Sequence, residues 1–206
     1  MFITFEGTEG SGKSINVAWL AEWLEEHGHQ VLTTREPGGT EVGEKIRSIL
    51  LHCTGSPSAQ TSLLLFEAAR SQLVEEVIRP ALASGVVVLS DRFTDSTLAY
   101  QGYGEGLSLG HIGMMNNIAT GGLTPDLTVL LDIDPREGLA RRLDSAEWNA
   151  IDARELAFHE KVRNGFLAMA AAEPARWLVL DATESLQYIR ERIVARLALW
   201  QNERKG

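Results

Sequence analysis

FEGTEGSGKS, residues 5–14, carries the most specific structural motif of this chain. It places the pattern Gly-x-x-x-x-Gly-Lys-Ser after a predicted strand, FITF (2–5), and at the start of a predicted helix, 13–27. The glycines let backbone N–H groups point into the loop, and the helix N-terminus adds partial positive charge. The motif predicts a bound nucleoside triphosphate, with Lys13 at its β- and γ-phosphates and Ser14 as a ligand of Mg²⁺. The residues predicted to contact it are Gly7, Thr8, Glu9, Gly10, Ser11, Gly12, Lys13 and Ser14.

Glu9 is the unusual residue of this loop, because a carboxylate among phosphate-facing amides would repel a nucleotide. Its position is explained if the side chain points the other way, toward an uncharged sugar hydroxyl of a second substrate. The alternative is a solvated side chain at the tip of a loop.

Short apolar runs alternate with longer amphipathic segments along the whole chain. The runs predicted as strands are 2–5, 30–34, 86–90, 127–133 and 177–181. The segments predicted as helices are 13–27, 41–52, 59–83, 109–120, 136–143, 152–172 and 185–201. This alternation predicts an α/β fold, with a five-stranded parallel sheet and helices on both of its faces. We expect residues 1–206 to form a single domain.

Composition narrows the possible partners and the compartment. The formal net charge is −9, which argues against a general nucleic-acid binder. One cysteine, Cys53, allows no internal disulfide and favours a reducing cytoplasm. The N-terminus does not resemble a signal peptide, and no apolar stretch is long enough to suggest a membrane span.

Charged residues follow the predicted strands, at the edge where parallel sheets bind ligands. Arg35 comes after the second strand, and Asp91 and Arg92 come after the third. An aspartate there can help to hold Mg²⁺, and a neighbouring arginine can bind two phosphate oxygens at once. The alternative for Asp91 and Arg92 is a structural ion pair at the end of a strand.

Two further segments carry groups suited to binding a nucleobase. Phe66 and Arg70 lie four residues apart, so they share one face of a helix. An aromatic ring and a guanidinium could stack on a base and hydrogen-bond to it, although core packing is the simpler interpretation of Phe66 alone. Uncharged hydrogen-bonding groups follow Arg92, namely Ser96, Thr97, Tyr100 and Gln101.

Taken together, these residues resemble bacterial thymidylate kinases, members of the P-loop nucleoside monophosphate kinases. The resemblance runs nearly from end to end, and the most discriminating motifs are REPGGT and the pattern DRF..S..AYQG. The other matching stretches are FEGTEGSGKS, LLLFEAAR, PDLTVLLDIDP, GLARR and LVLDATESL. The resemblance implies a three-layer P-loop kinase fold and the reaction ATP + dTMP → ADP + dTDP, with Mg²⁺.

The resemblance also implies a role for each matching residue. Lys13, Arg92, Asp91 and Glu9 would form the catalytic group, with Ser14 and Asp91 near Mg²⁺. Arg141 would stack on adenine. For dTMP, the resemblance places Glu9 at the sugar 3′-hydroxyl, Tyr100 near the 2′ position, and Arg35 and Arg92 at the phosphate. Phe66 and Arg70 would bind the base, and Thr97 and Gln101 would lie along its edge with Ser96 close by. Family members are usually homodimers, and the helix 59–83 is a plausible contact.

The sequence departs from the family pattern mainly where catalytic arginines are expected. Gly10 stands where one class of these kinases has an arginine, and the other class supplies arginines from a lid. Here the lid, residues 143–151, has Ala150 at the place of the expected arginine and Asp144 and Ser145 in a usually basic region. An ordinary connection between helices is the alternative interpretation of this segment.

Other basic residues could replace the missing charge. The candidates are Arg142, Arg154 and Lys161. Smaller departures are Ile15, Ala69 and Leu73, where threonine, aspartate and histidine are common. We therefore predict that nucleotide binding is retained and that turnover is weaker than in a typical member. Two alternatives stay open: a kinase of another deoxynucleotide or deoxynucleoside, and a nucleotide-binding paralogue with little activity.

Overall fold

The structure is a computed structural model, and it describes residues 1–53, 55, 57–143 and 149–203. In this part of the chain, five strands form one parallel sheet in the order β2-β3-β1-β4-β5. The strands are β1 (Phe2–Glu6), β2 (Val31–Arg35), β3 (Val87–Asp91), β4 (Leu127–Asp132) and β5 (Trp177–Asp181). Because β1 lies between β3 and β4, the loop after β1 opens at the centre of the carboxyl edge.

Helices cover both faces of the sheet, as predicted. The helices are α1 (Lys13–Glu26), α2 (Glu41–His52), α3 (Ala59–Leu73), α4 (Arg79–Ala83), α5 (Thr94–Thr97), α6 (Leu109–Thr120), α7 (Pro135–Arg142), α8 (Leu156–Ala172) and α9 (Leu186–Glu203). Two π-helical segments also occur, π1 (Val74–Ile78) and π2 (Leu98–Gly104). In the described part of the chain, no helix has both the length and the apolar character needed to cross a bilayer.

The core divides between the two faces. On one face, Ile3 and Phe5 of β1 pack with Leu20 of α1 and Ile193 of α9. On the other face, Phe2 packs with residues of α3 and π1, and Leu130 of β4 packs with α8. Alternate residues of the central strands therefore face opposite helical layers, and the α/β prediction is confirmed.

The long helix predicted over 59–83 is not a uniform α-helix. It changes at Val74–Ile78, where the backbone N–H of Arg79 donates to the carbonyl of Val74, five residues earlier. Pro80 follows, and it has no N–H for the usual bond to the carbonyl four residues back. The π-helical turn adapts the helix to this proline.

The segment 93–102, for which the sequence predicts neither helix nor strand, is mostly helical. It forms α5 and then π2, and π2 packs against α8. Serine, threonine and glycine have low helix propensity, which is why the sequence does not predict a helix here. A π-helical turn is a common feature of functional sites, and this one carries Tyr100 and Gln101.

Helix ends also differ by a few residues from the prediction. The helix expected from residue 152 begins at Leu156. Before it, the side chain of Asn149 accepts from the N–H of Ile151, and that of Asp152 accepts from the N–H of Asn149. Such short side chains compete with helical hydrogen bonds, so the helix starts later.

Candidate active site

The carboxyl ends of the strands open into a large cavity of about 1290 Å³. It brings together residues from the phosphate loop, the strand ends, α3, π2 and α7. The predicted site residues that line it are Glu9, Gly10, Ser11, Gly12, Lys13, Ser14, Arg35, Phe66, Arg70, Asp91, Arg92, Ser96, Thr97, Tyr100, Gln101, Arg141 and Arg142. Arg154 and Lys161 do not line it, and neither do Gly7 and Thr8.

The phosphate loop has a conformation that requires its glycines. Gly7, Gly10 and Gly12 all have positive φ, at 139°, 71° and 86°. A Cβ atom on Gly7 would lie 2.4 Å from the carbonyl oxygen of Leu131. The loop therefore packs directly on the end of β4, and only glycine fits there.

Lys13 lies inside the loop and is almost fully buried. Its Nζ donates to the carbonyls of Gly7 (3.1 Å) and Thr8 (2.9 Å) and to Ser11 Oγ (3.2 Å). Burial and the nearby charge of Arg92 lower the pKa of Lys13 from 10.5 to about 8. The ammonium is thus held at the centre of the loop, where a phosphate would meet it.

The loop also packs tightly against α7. A Cβ atom on Gly10 would lie 2.0 Å from the carbonyl oxygen of Gly138, and one on Gly138 would lie 2.2 Å from the carbonyl of Glu9. This backbone-to-backbone contact leaves no room for a side chain at position 10. Gly138 of α7 therefore lies where the side chain of an arginine at position 10 would begin, so this chain has no room for a loop arginine.

Ser14 and Asp91 meet across the loop. The Ser14 hydroxyl donates to Asp91 Oδ2 at 2.6 Å, which joins the start of α1 to the end of β3. Both residues were predicted to lie near Mg²⁺, and the structure places their oxygen atoms side by side.

The Glu9 carboxylate is buried and does not project into solvent. It accepts hydrogen bonds from Tyr100 Oη (2.5 Å), Arg92 (3.1 Å) and His159 Nδ1 (3.1 Å). The alternative of a solvated loop tip is therefore wrong. Burial alone would raise the pKa of Glu9, but the bond to His159 and the charges of Arg92 and Lys13 lower it to about 2. Glu9 is consequently a fixed anion at neutral pH.

Arg92 joins the phosphate loop to π2. It pairs with Glu9, and it does not form the structural ion pair with Asp91 that was the alternative interpretation. Its other bonds go to the carbonyl of Gly7 (3.0 Å) and to Ser96 Oγ (3.2 Å). Three of the five N–H groups of a guanidinium are used in this way, so others can bind an anion.

The backbone of Arg92 is strained. Its φ is 73°, and it is the one non-glycine residue with positive φ in the described part of the chain. The conformation is maintained by two bonds, from Arg92 N–H to Phe5 (3.0 Å) and from Ser90 Oγ to the Arg92 carbonyl (2.7 Å). Strain of this kind concentrates at functional sites, where it aims a side chain.

Glu6, which sequence reasoning missed, supports this cluster from below. It is fully buried at the end of β1 and accepts from Ser96 Oγ (2.6 Å) and the N–H of Phe93 (2.8 Å). Burial, followed by the negative charge of Asp95, raises the pKa of Glu6 to about 8. Its position as the last residue of a buried strand, beside Gly7, was an available signal.

Arg70 is the most enclosed cation of the site, with a side chain that is 1% exposed. It pairs with Glu36 (2.6 Å) and Glu67 (2.7 Å). It also donates to Asn116 Oδ1 (2.8 Å) and Thr97 Oγ1 (2.9 Å). Every N–H of its guanidinium therefore has a protein acceptor, and a ligand would have to compete with one of them.

The two carboxylates around Arg70 were also missed by the sequence. Burial raises the pKa of Glu36 to about 7, against the lowering effect of Arg70. Burial raises the pKa of Glu67 in the same way. Glu36 lies inside the REPGGT motif, which could have identified it, whereas Glu67 looks like an ordinary helix residue.

Phe66 and Gln101 remain available to a ligand. Phe66 is half-buried, packs against the buried cluster that includes Ile46 and Leu50 of α2, and also lines the cavity, so both of its predicted roles are compatible with its position. The side-chain amide of Gln101 makes no hydrogen bond with the described residues, although only 5% of this residue is exposed.

Two cations belong to the REPGGT loop or contact it, Arg35 as its first residue and Arg47 from α2. Arg35 pairs with Glu44 at 3.1 Å, and its side chain is 56% exposed. Arg47, which the sequence did not identify, lines the cavity and donates to the carbonyl of Pro37 at 2.9 Å.

The predicted lid lies only partly within the described residues, because 144–148, including Asp144 and Ser145, fall outside them. Arg142, just before this segment, lines the cavity and pairs with the buried Asp152 at 2.7 Å. Arg154 instead pairs with Glu105 at 3.0 Å and lies over the ring of Phe158. Of these two candidates for lid charge, Arg142 is the one at the cavity.

Arg141, predicted to stack on adenine, bridges two backbone segments. It donates to the carbonyls of Gly10 (3.4 Å) and Ala182 (3.2 Å) and pairs with Glu137 at 2.6 Å. Its side chain is 40% exposed at the mouth of the cavity.

Comparison with known proteins identifies the family of this chain. A family model described as thymidylate kinase matches residues 5–193. The thymidylate kinase of Gloeobacter violaceus is 48% identical over 208 residues, covering 100% of this chain and 98% of that protein. The one from Synechococcus sp. strain JA-3-3Ab is 51% identical over 194 residues, covering 94% and 93%.

A solved structure gives the same result. The crystal structure of thymidylate kinase from Ehrlichia chaffeensis superposes with a TM-score of 0.78 at 34% sequence identity, covering 96% of this chain and 98% of that one. Sequence, fold and site geometry converge on one conclusion: the chain belongs to the thymidylate kinase family.

Proposed function

We propose that the chain transfers the γ-phosphoryl group of ATP to dTMP, giving ADP and dTDP. The observation that carries the proposal is the contact between Glu9 and Arg92, which joins the phosphate loop to the pocket of Phe66, Tyr100 and Gln101 inside one cavity. A donor bound at the loop and an acceptor bound in the pocket would meet there.

The reaction needs no protein nucleophile. A phosphate oxygen of dTMP forms the new bond to the γ-phosphorus, and the bond from that phosphorus to the bridging oxygen of ADP breaks. The protein must position the two substrates and stabilise charge on the transferred group. Lys13 would act on the donor phosphates and Arg92 on the acceptor phosphate, with Arg35 beside it.

Mg²⁺ fits the residues present. The Ser14 hydroxyl and the Asp91 carboxylate are hard oxygen ligands 2.6 Å apart, which is the donor chemistry that Mg²⁺ prefers. The described residues contain no cluster of three acidic, histidine or cysteine side chains, so nucleotide phosphates and water would complete the coordination. When bound, the ion neutralises charge on the phosphates.

We infer that the pocket reads the thymine base and the deoxyribose. Phe66 offers a ring for stacking, and Gln101 offers a free amide along the edge of the base. Thr97 and Ser96 line the same cavity as Gln101. Arg70 would donate to the base only by giving up one of its present acceptors. Tyr100, fixed by its bond to Glu9, would exclude a ribose 2′-hydroxyl.

The lid supports our expectation of weak turnover. Ala150 is exposed and brings no charge, and Arg142 is engaged with Asp152. A positioned arginine contributes about 10³–10⁵-fold in related phosphoryl transfers. Arg142 would therefore have to leave Asp152 before it could serve the transferred group.

Three further proposals follow from the family. We expect a single kinase domain over residues 1–206, located in the cytoplasm. We also expect a homodimer in which α3 takes part. The exposed apolar side chains of Leu64 on α3 and of Met114 and Ile118 on α6, 55%, 60% and 79% exposed, favour such a contact, because α3 and α6 pack together.

A substrate panel tests the proposed function. Product formation is measured with ATP, Mg²⁺ and each of dTMP, dUMP, dCMP, dGMP and thymidine. We expect dTMP to be the best acceptor and dTDP to be its product. Preferential turnover of thymidine or of another monophosphate would contradict the proposal.

A matched pair of lysine variants tests whether the activity belongs to this site. Lys13→Ala should lower kcat roughly 10²–10³-fold, the effect of removing one preorganised donor. Lys45→Ala, on the exposed face of α2, removes an ammonium whose one ion pair among the described residues is with Glu41, and it should leave kcat unchanged. No dTDP formation at all in the wild type would favour the nucleotide-binding paralogue.

A further inference from the structure

His159 is a buried histidine that neither the sequence analysis nor the proposed reaction uses. It lies in α8, 1% exposed, and its Nδ1 is 3.1 Å from Glu9 Oε2. The two residues are 150 positions apart in sequence, so the fold alone brings them together. The histidine therefore contacts the residue of the phosphate loop that we propose to bind the acceptor sugar.

The direction of this hydrogen bond follows from the chemistry of the partners. Glu9 is ionised at neutral pH, and a carboxylate can only accept. Nδ1 must therefore carry the proton and donate it. Nε2 is buried and has no hydrogen-bond partner among the described residues, so the remainder of the ring is held by packing, including the edge of Phe158.

The hydrogen bonds that the Glu9 carboxylate accepts show how many of its lone pairs remain for a ligand. The two oxygens of a carboxylate offer about four lone-pair positions. Oε1 accepts from Tyr100 and from Arg92, and Oε2 accepts from His159. One position thus remains, on Oε2, the oxygen that His159 orients.

We propose that His159 is a positioning residue for the phosphoryl acceptor: its Nδ1–H fixes the Glu9 carboxylate so that Oε2 accepts the 3′-hydroxyl of the dTMP sugar. The inference rests on the proposed function and adds a residue to it. Tyr100 and Arg92 both donate to Oε1 of Glu9, so this oxygen is held in place. The bond from His159 to Oε2 then prevents the carboxylate from rotating about Oε1.

The test compares dTMP with its 3′-deoxy analogue, which lacks only the 3′-hydroxyl. The quantity is the ratio of kcat/KM for the two acceptors. A hydrogen bond to a charged group makes this ratio roughly 10–100 in the wild type. A wild type that uses both acceptors equally well would overturn the inference.

Two isosteric variants then isolate His159. The amide nitrogen of His159→Asn occupies the place of Nδ1 and can still donate to Glu9. That of His159→Gln reaches the place of Nε2 and cannot. We expect the ratio to stay near its wild-type value in His159→Asn and to fall toward 1 in His159→Gln and in the apolar His159→Leu.

A merely structural role predicts something different. In that case all three variants would lower kcat/KM equally for both acceptors, and the ratio would not change. Val162→Ala, which opens a space in the same buried face of α8, controls for lost packing and should lower the Tm while keeping the ratio.

The outcomes of this test and of the proposed function can be told apart. Failure of the proposed function appears as a wild type that forms no dTDP, and it removes the inference too. Failure of the inference alone appears as active variants with an unchanged ratio. If His159→Leu does not fold, the comparison of asparagine with glutamine still decides.

Discussion

The cavity has an acceptor side, lined by Arg70 and Arg92, and a lid side, lined by Arg141 and Arg142. The two sides differ in how their arginines are held. On the acceptor side, the side chain of Arg70 is 1% exposed and that of Arg92 is 19% exposed, and each is bound by groups from several elements. On the lid side, Arg141 is 40% exposed, and Arg142 has its charge paired with Asp152. Arg92 keeps N–H groups that can bind an anion, whereas Arg142 would have to leave Asp152 before its charge could reach a phosphate.

This difference matters because preorganisation is what makes an electrostatic catalyst effective. A group already fixed in a buried site needs no reorganisation at the moment of reaction. Arg92 meets that condition, because Glu9 holds it while some of its N–H groups stay available. Arg70, held by Glu36, would first have to exchange one of its acceptors. Because Arg92 is already fixed and Arg142 is engaged with Asp152, we expect good binding of the acceptor together with slow phosphoryl transfer.

The largest expected effect comes from forcing an arginine into the phosphate loop. Gly10→Arg would put Cβ 2.0 Å from the Gly138 carbonyl at a φ of 71°. We expect kcat to fall roughly 10²–10³-fold, the scale of losing a preorganised donor, because the loop must move away from α7. The rate of dTDP formation and the Tm measure this.

Alanine variants separate the clash from backbone strain. Gly28 also has a positive φ, 84°, but a Cβ there would have no atom within 4 Å. Gly28→Ala should therefore show only the cost of the left-handed conformation, about 1–2 kcal/mol. Gly10→Ala should cost clearly more, and equal costs for the two would show that α7 does not restrict the loop.

A smaller effect is expected on the acceptor side from Phe66→Ala. Stacking of a base on an aromatic ring contributes about 1–3 kcal/mol, so KM for dTMP should rise roughly 5–150-fold. The control is Leu65→Ala, since Leu65 packs against the same cluster of α2 and α3 residues but does not line the cavity. An equal rise in both variants would mean that Phe66 acts only through packing.

The smallest effect concerns the pH dependence of ATP use. The pKa of Lys13 is lowered to about 8, so this ammonium loses its proton as the pH rises through that value. We expect kcat/KM for ATP to be flat below about pH 8 and to fall tenfold per unit above it.

Another buried group titrates in the same range, because the pKa of Glu6 is raised to about 8. Lys13→Arg distinguishes the two, since a guanidinium stays protonated. The variant should be slower but should lack the decline above pH 8. A decline that persists in Lys13→Arg would assign it to Glu6.

Much of this molecule could be predicted from sequence, for reasons visible in particular residues. The phosphate loop and the strand ends are local features, so Lys13, Ser14, Asp91 and Arg92 were all placed at the cavity. The α/β class follows from the alternation of strands and helices along the chain, whereas the spatial order of the strands, β2-β3-β1-β4-β5, was not predicted. The π2 helix was missed, because its residues have weak local preference and are held by packing on α8.

The groups that hold the site were the ones that could not be predicted. His159 lies 150 residues from Glu9, and a histidine on an apolar helix face normally indicates packing alone. Glu67 can be recognised as part of the site only when the structure shows that it pairs with the enclosed Arg70. Such partners are set by tertiary contacts, which a single sequence does not display.

The most direct test of the account is the kinetics of Ala150→Arg beside the wild type, with ATP and dTMP. We predict that the wild type forms dTDP slowly, and that the added lid arginine raises kcat at least about tenfold, or about 1.4 kcal/mol of barrier, with KM for dTMP unchanged. A wild type that is already fast, and a variant that is no faster, would contradict it.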